Sequence, residues 1–199
     1  MGSTCAVEDC GNGWFLKSHP FERLTPAGYR AWFRFLLAAT LIMLILESAL
    51  GVPLQKCRTK DGGRCDIVSF ELARTAERSG GIVDSWRSNS VLHYAKWNTW
   101  LDYLFMPCYA NLAAMAIAGV LCRKMPEMWR RVGRALAWAQ WIVLSADATE
   151  NVALLRQLYV ASARPWPEIA FACAAIKFGL LGIGVVYLLV TLVGTRRPA

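Results

Sequence analysis

At 199 residues the chain has the length of one domain, and 56% of it is hydrophobic against 18% charged, with a positive mean hydropathy. Soluble domains carry roughly 25% charged residues, so this balance excludes an ordinary water-soluble enzyme and points to a bilayer. The net charge of +8 is spread along the chain rather than gathered in one patch or binding motif; that argues against a nucleic-acid partner and for membrane lipids.

Residues 1–34 form an N-terminal segment with Cys5, Glu8, Asp9 and Cys10 ahead of any apolar run, so no cleavable leader is expected. The start "MGSTCA" approaches an acylation motif, but that motif wants Ser or Thr where Ala6 stands, and a plain tail is the expectation. Cys5 and Cys10 are expected as free thiols.

Residues 35–193 then read as an all-α integral membrane domain. Four stretches reach the ~20 mostly apolar residues that a crossing helix needs: Phe35 to Val52, Trp100 to Cys122, Ala135 to Leu155 and Ile169 to Val193. The expected architecture is a four-helix transmembrane bundle. Trp32, Trp97, Trp100, Trp138, Trp141 and Trp166 lie at or near span ends, where an amphipathic ring suits the headgroup level. Pro107, Gly179 and Gly182 are compatible with helix inside a membrane, because neighbours re-satisfy freed backbone groups.

The first connection, residues 53–99, is too long and too patterned to be slack. Asp66 and Thr75 are candidate N-caps, and the apolar residues Ile67, Val68, Phe70, Leu72 and Ala73 surround Glu71. One or two short amphipathic helices are expected, lying in the interface or capping the bundle's outer mouth. The Gly80–Gly81 pair argues against one straight helix. Cys57 and Cys65 flank the polar turn "RTKDGGR", so a disulfide is possible on an oxidising side. Cys108, Cys122 and Cys173 read as small hydrophobes, and the cysteine spacing does not suit a zinc site. His93 reads as an interfacial histidine. His19 and His93 both lie outside the spans, so no haem pair is expected.

Orientation follows from the short connections. Arg123, Lys124, Arg130, Arg131 and Arg134 lie between spans two and three, against only Arg156 and Arg164 between spans three and four. Positive-inside reasoning places both termini, with the basic tail 194–199 and its Arg196 and Arg197, on the cytoplasmic or matrix-like side. The membrane is then a bacterial cytoplasmic membrane or an inner organellar one.

Ionisable residues inside the spans are the candidates for function. Glu150 and Lys177 each lie nine residues inside the expected outer helix ends, Tyr159 and Glu168, or roughly 13 Å at 1.5 Å per residue. They share a level. Asp147, Glu150 and Asn151 share one helix face by their spacing, Asp102 and Tyr109 lie two turns apart on span two, and Glu47 enters near the outer end of span one. A central Asp or Lys costs about 2.5–3.5 kcal/mol against lipid, so these side chains should point inward and pair. Lys177 can neutralise one carboxylate; the others need protons, water or a partner.

Two uses are open for such a cluster. It can fix helix register, with rows such as Ala110, Ala114 and Ala118 allowing close approach, or it can serve as a proton relay, a cation site or an acid/base pair. A di-metal carboxylate site is not expected, since the spans hold no Glu-x-x-His pair, and the sequence implies no particular cofactor.

The run "SADATENVALL", followed by "RPWPEIAFACAAIKF", resembles a family of small four-span bacterial membrane proteins without an assigned activity. Their third span carries Asp-x-x-Glu-Asn-x-x-Leu, matched here by Asp147, Glu150, Asn151 and Leu154. Their fourth follows Pro-Trp-Pro, matched by Pro165, Trp166 and Pro167, and carries Lys-Phe, matched by Lys177 and Phe178. "FELARTAERSGGIVDSW" and Asp102 in "WLDYLF" also resemble that family, over about residues 67–189. The cysteine-bearing N-terminus and the Cys57 to Cys65 loop depart from it, as an organellar relative would. The resemblance implies the four-span fold and the polar cluster. Small size and aromatic-rich spans lead to the functional expectation of an accessory or structural subunit beside other membrane subunits. The alternative is a small membrane-embedded enzyme, a proton or cation conductor, or a lipid-binding protein using the intramembrane carboxylates.

Overall fold

The computed structural model describes residues 18–194; Cys5, Cys10, Arg196 and Arg197 lie outside them. Six α-helices follow a one-turn 3-10 helix, Pro20–Arg23: α1 Pro26–Gln55, α2 Ile67–Glu71, α3 Ala76–Ser88, α4 Leu92–Val120, α5 Glu127–Tyr159 and α6 Trp166–Gly194. No strand occurs among the described residues; the nearest thing is an isolated bridge between Arg58 and Arg64.

Three helices, α1, α4 and α6, are long and apolar enough to cross a membrane. The fourth long helix, α5, differs because its buried face is polar, carrying Arg134, Gln140, Asp147, Glu150, Asn151 and Gln157. Each long helix starts ahead of the apolar stretch that marks it in sequence, while α4 ends at Val120, short of Cys122. α1 starts at Pro26 rather than Phe35 because Thr25 Oγ1 accepts the Gly28 N–H and Pro26 needs no donor there.

The long helices pack side by side, with α4 against α1 and α5, and α5 against α6. Ala110, Ala114 and Ala118 are buried on α4 as their spacing suggests. Pro107 stays inside α4, where Asn111 Nδ2 donates to its carbonyl at 2.8 Å. Two close approaches depend on glycine. A Cβ on Gly119 would come within 2.1 Å of Tyr29 Oη, and one on Gly133 within 2.1 Å of Tyr187 Oη. Tyr29 and Tyr187 use those approaches to donate to the Met115 and Trp129 carbonyls, joining α1 to α4 and α6 to α5.

The connection after α1 folds back onto one end of the long helices. Asp66 and Thr75 act as N-caps, accepting the Ser69 and Arg78 N–H groups. The glycine pair does not break α3, contrary to the sequence expectation: the chain bends before the Thr75 cap, and Gly80 passes beside Ser162. Phe70, Ile82, Val83 and Trp86 pack with Leu54 of α1, Ala153, Leu154 and Leu158 of α5, and Ala170 of α6. Trp86 Nε1 donates to the Cys65 carbonyl at 2.7 Å, holding the turn. Cys57 and Cys65 are both buried in that core as free thiols, donating to the Pro53 and Gly63 carbonyls.

Candidate functional site

The polar faces of α4, α5 and α6 meet below α2. Lys177 of α6 is 6% exposed and its Nζ lies 2.8 Å from Asp147 Oδ1, 2.8 Å from Glu150 Oε2 and 3.7 Å from Glu71 Oε2. Asp147 also accepts from the Tyr109 hydroxyl of α4, so both its oxygens have donors. Asn151 Nδ2 donates to Asp102 Oδ2 at 2.7 Å. Lys177 also sits over the Phe178 ring, 4.9 Å from its centroid.

Helical geometry explains the convergence. Offsets of three and four place Asp147, Glu150 and Asn151 on one strip of α5, and that strip faces Asp102 and Tyr109 on one side and Lys177 on the other. Asp102 and Tyr109, seven residues apart on α4, likewise return to one face after about two turns.

Glu47, the remaining residue singled out from sequence, stands at the margin. Asn98 of α4 donates to both its side chain and its backbone carbonyl, and the Lys177 ion pairs do not include it. Two members were not anticipated. Asn98 is one. Glu71 is the other: it stands on α2, outside the long helices, yet its side chain is only 14% exposed and meets Lys177. Its signal in the sequence is an acid inside the apolar run "IVSFELA", on a helix too short to carry a face of its own. Burial pushes the Glu71 carboxyl up to about 7; Lys177 opposes the rise, and Asp102 and Asp147 add to it.

The resulting balance is lopsided. Three carboxyl groups, on Glu71, Asp147 and Glu150, meet one ammonium, and those of Asp102 and Glu47 stand beside them. Glu150 shows the consequence most clearly. It is fully buried, and apart from the ion pair with Lys177 neither of its oxygens has a hydrogen-bond donor. No group of three or more His, Cys, Asp or Glu among the described residues is arranged to hold a metal ion. What the arrangement can do chemically is hold and move protons, or fix its helices through the ammonium.

A second buried charge site lies toward the opposite end of α5. Arg134 and Glu22 of the 3-10 turn are 5% and 7% exposed in their side chains, and Nε and Nη2 donate to the two carboxylate oxygens at 3.3 and 3.4 Å. His19 is buried beside them against Trp138 and Trp141, with Nδ1 accepting the Phe21 N–H. Burial lowers its imidazole to about 4, with Glu22 opposing. His93, by contrast, is exposed, as expected.

Comparison with known proteins finds no matching family model, no similar curated protein and no similar solved structure.

Proposed function

We propose that this chain is an integral membrane protein whose α1, α4, α5 and α6 all cross the bilayer, capped on the outer side by α2 and α3. It works as an accessory or structural subunit of a larger membrane assembly, and its polar cluster fixes helix register. The observation that carries this reading is the three-way engagement of Lys177 by α5 and α2. A single ammonium at one depth sets how far α6 can slide past α5 and whether α2 stays seated, since each alternative register strands a charge in an apolar layer.

The surface left over supports the subunit reading. α1 packs mainly on α4, and Leu41, Ile42 and Ile45 on its far side are exposed, as are Ile183, Val186 and Leu189 on α6. Such faces suit lipid and neighbouring subunits. Trp32, Trp97 and Trp100 stand exposed near helix ends, at the level suited to headgroups. By loop charge the termini lie on the cytoplasmic or matrix-like side of a bacterial cytoplasmic or inner organellar membrane. Purification in mild detergent tests the reading: the protein should migrate with a large assembly, and a clean small oligomer would remove the subunit role.

The surplus of acid favours a second reading, in which the carboxylates take part in a small enzyme, a proton or cation conductor, or a lipid-binding protein. Asp147→Asn and Glu150→Gln separate the two. Loss of abundance supports the register role; normal folding with a lost cellular phenotype supports the second.

A further inference from the structure

Glu71 and Glu150 form a pair that the ion pairs alone do not satisfy. Both face the same ammonium, with Lys177 Nζ 2.8 Å from Glu150 Oε2 and 3.7 Å from Glu71 Oε2, and two carboxylates only accept, so neither can donate to the other unless one carries a hydrogen. The other carboxyls on the long helices each have a donor on at least one oxygen, Lys177 and Tyr109 for Asp147, Asn151 for Asp102 and Asn98 for Glu47, whose Oε1 is left without one. Neither oxygen of Glu150 has a hydrogen-bond donor, and its side chain is fully buried. A buried acceptor without a donor is costly, and more so when charged. The hydrogen that completes the site therefore belongs between these two residues.

We infer that Glu71 and Glu150 together bind one exchangeable proton, with Glu71 as the residue through which that proton passes to and from the aqueous side of α2. Glu71 fits that part because its side chain is 14% exposed while that of Glu150 is 0% exposed. On uptake a hydronium or buffer acid gives its proton to a Glu71 oxygen, and the new O–H donates to Glu150. Release reverses both steps, and no electrons move. The charged groups facing Glu71 are Lys177 on α6, Asp147 and Glu150 on α5, Asp102 on α4 and Glu47 on α1. Their negative balance favours a held proton, and the upward displacement of Glu71 to about 7 puts its exchange in the neutral range. The inference rests on the second reading above and names its ligand.

Infrared difference spectra of the full chain in lipid nanodiscs, between mildly acidic and mildly alkaline pH, test it. A protonated-carboxyl C=O stretch should be present on the acidic side and disappear on the alkaline side. It should move to lower frequency when the protein is made cell-free with isotopically labelled glutamate, and be lost in Glu71→Gln. A titrating band that ignores the label, one that survives in Glu71→Gln, or no titrating band at all overturns the inference. The label experiment needs no substitution, so it decides even if Glu71→Gln does not fold. An absent band, with Asp147→Asn and Glu150→Gln folding normally and losing the cellular phenotype, removes the proton site and leaves the second reading; a band that behaves as expected, with that phenotype unchanged in both variants, removes the second reading and leaves the proton site.

Discussion

The two buried charge sites on α5 are built from similar parts and reach different balances. Near the Pro20–Arg23 turn, one guanidinium meets one carboxylate through two bonds, and Glu22 also accepts the His19 N–H at 2.7 Å. Thirteen residues along the same helix, roughly 20 Å away at 1.5 Å per residue, Asp147 belongs to a site with five carboxyls and one ammonium. Among the described residues the first sets one carboxylate against one guanidinium, and the fork fixes geometry. The second is left open to protons. The Lys177 ion pairs carry the proposed register role, and the excess acid is what the proposed proton site rests on.

The largest expected effect comes from removing the single ammonium. Lys177→Met leaves the carboxylates uncompensated and should cost about 3–5 kcal/mol, seen as loss of folded protein in detergent and a lowered thermal midpoint. Adding Asp147→Asn should recover only part of it, because Glu71, Asp102 and Glu150 remain. Full recovery would mean that the cluster behaves as a simple pair and that the contrast with Arg134 is false.

The Arg134–Glu22 site gives the complementary result. Arg134→Gln alone should destabilise by about 3 kcal/mol, since it strands a buried carboxylate, whereas Arg134→Gln with Glu22→Gln should return most of that loss. A double-mutant cycle read by thermal unfolding measures the difference. If both sites show equal recovery, charge surplus has no energetic meaning here.

How much of this was legible beforehand follows from the range of each interaction. The meeting of Asp147, Glu150 and Lys177 could be read because helical rise is fixed and α6 starts shortly after α5 ends. The caps at Asp66 and Thr75 and the small row Ala110, Ala114 and Ala118 are local, and the structure bears them out. Glu71 was passed over because its burial depends on where α2 docks, which no periodicity within five residues encodes. Glu22 was missed for a similar reason: its partner is 112 residues away, and the turn that carries it has no apolar period. At α5 the sequence and the structure part: the run Ala135 to Leu155 reads as a span, yet among the described residues the helices long and apolar enough to cross a membrane are α1, α4 and α6, because Arg134, Gln140, Asp147, Glu150 and Asn151 on its buried face lower the hydropathy of α5.

Packing near the Arg134 site should respond next. Gly133→Ala places a methyl group against Tyr187 Oη and Leu121 Cδ2, at 2.1 and 2.7 Å, where Tyr187 is buried and donates to the Trp129 carbonyl. Overpacking of that kind costs about 1–3 kcal/mol, and adding Tyr187→Phe, which removes the clashing oxygen, should return part of it. The same alanine at Gly81, which has open space around it, should be neutral or mildly stabilising in the unfolding midpoint.

The smallest effect separates the two sites by the sign of their pH dependence. Glu71, raised to about 7, binds its proton more tightly in the folded chain than in the unfolded one. Its contribution is therefore full below the ordinary glutamate range and is lost as pH rises from about 4.3 to about 7. His19, lowered to about 4, is held neutral when folded, so its contribution is full above about 6.5 and is lost as pH falls toward 4. The groups bearing on Glu71 are Lys177, Asp102, Asp147, Glu150 and Glu47, and the charged group bearing on His19 is Glu22, which is ion-paired with Arg134. Hydrogen exchange, corrected for its intrinsic pH dependence, should show α2 loosening on the alkaline side and the Pro20–Arg23 turn on the acidic side, each by about 1–2 kcal/mol near the middle of its window. Glu71→Gln should abolish the first trend and leave the second, while His19→Gln should do the reverse; parallel trends at both sites would show that one global charge effect governs them.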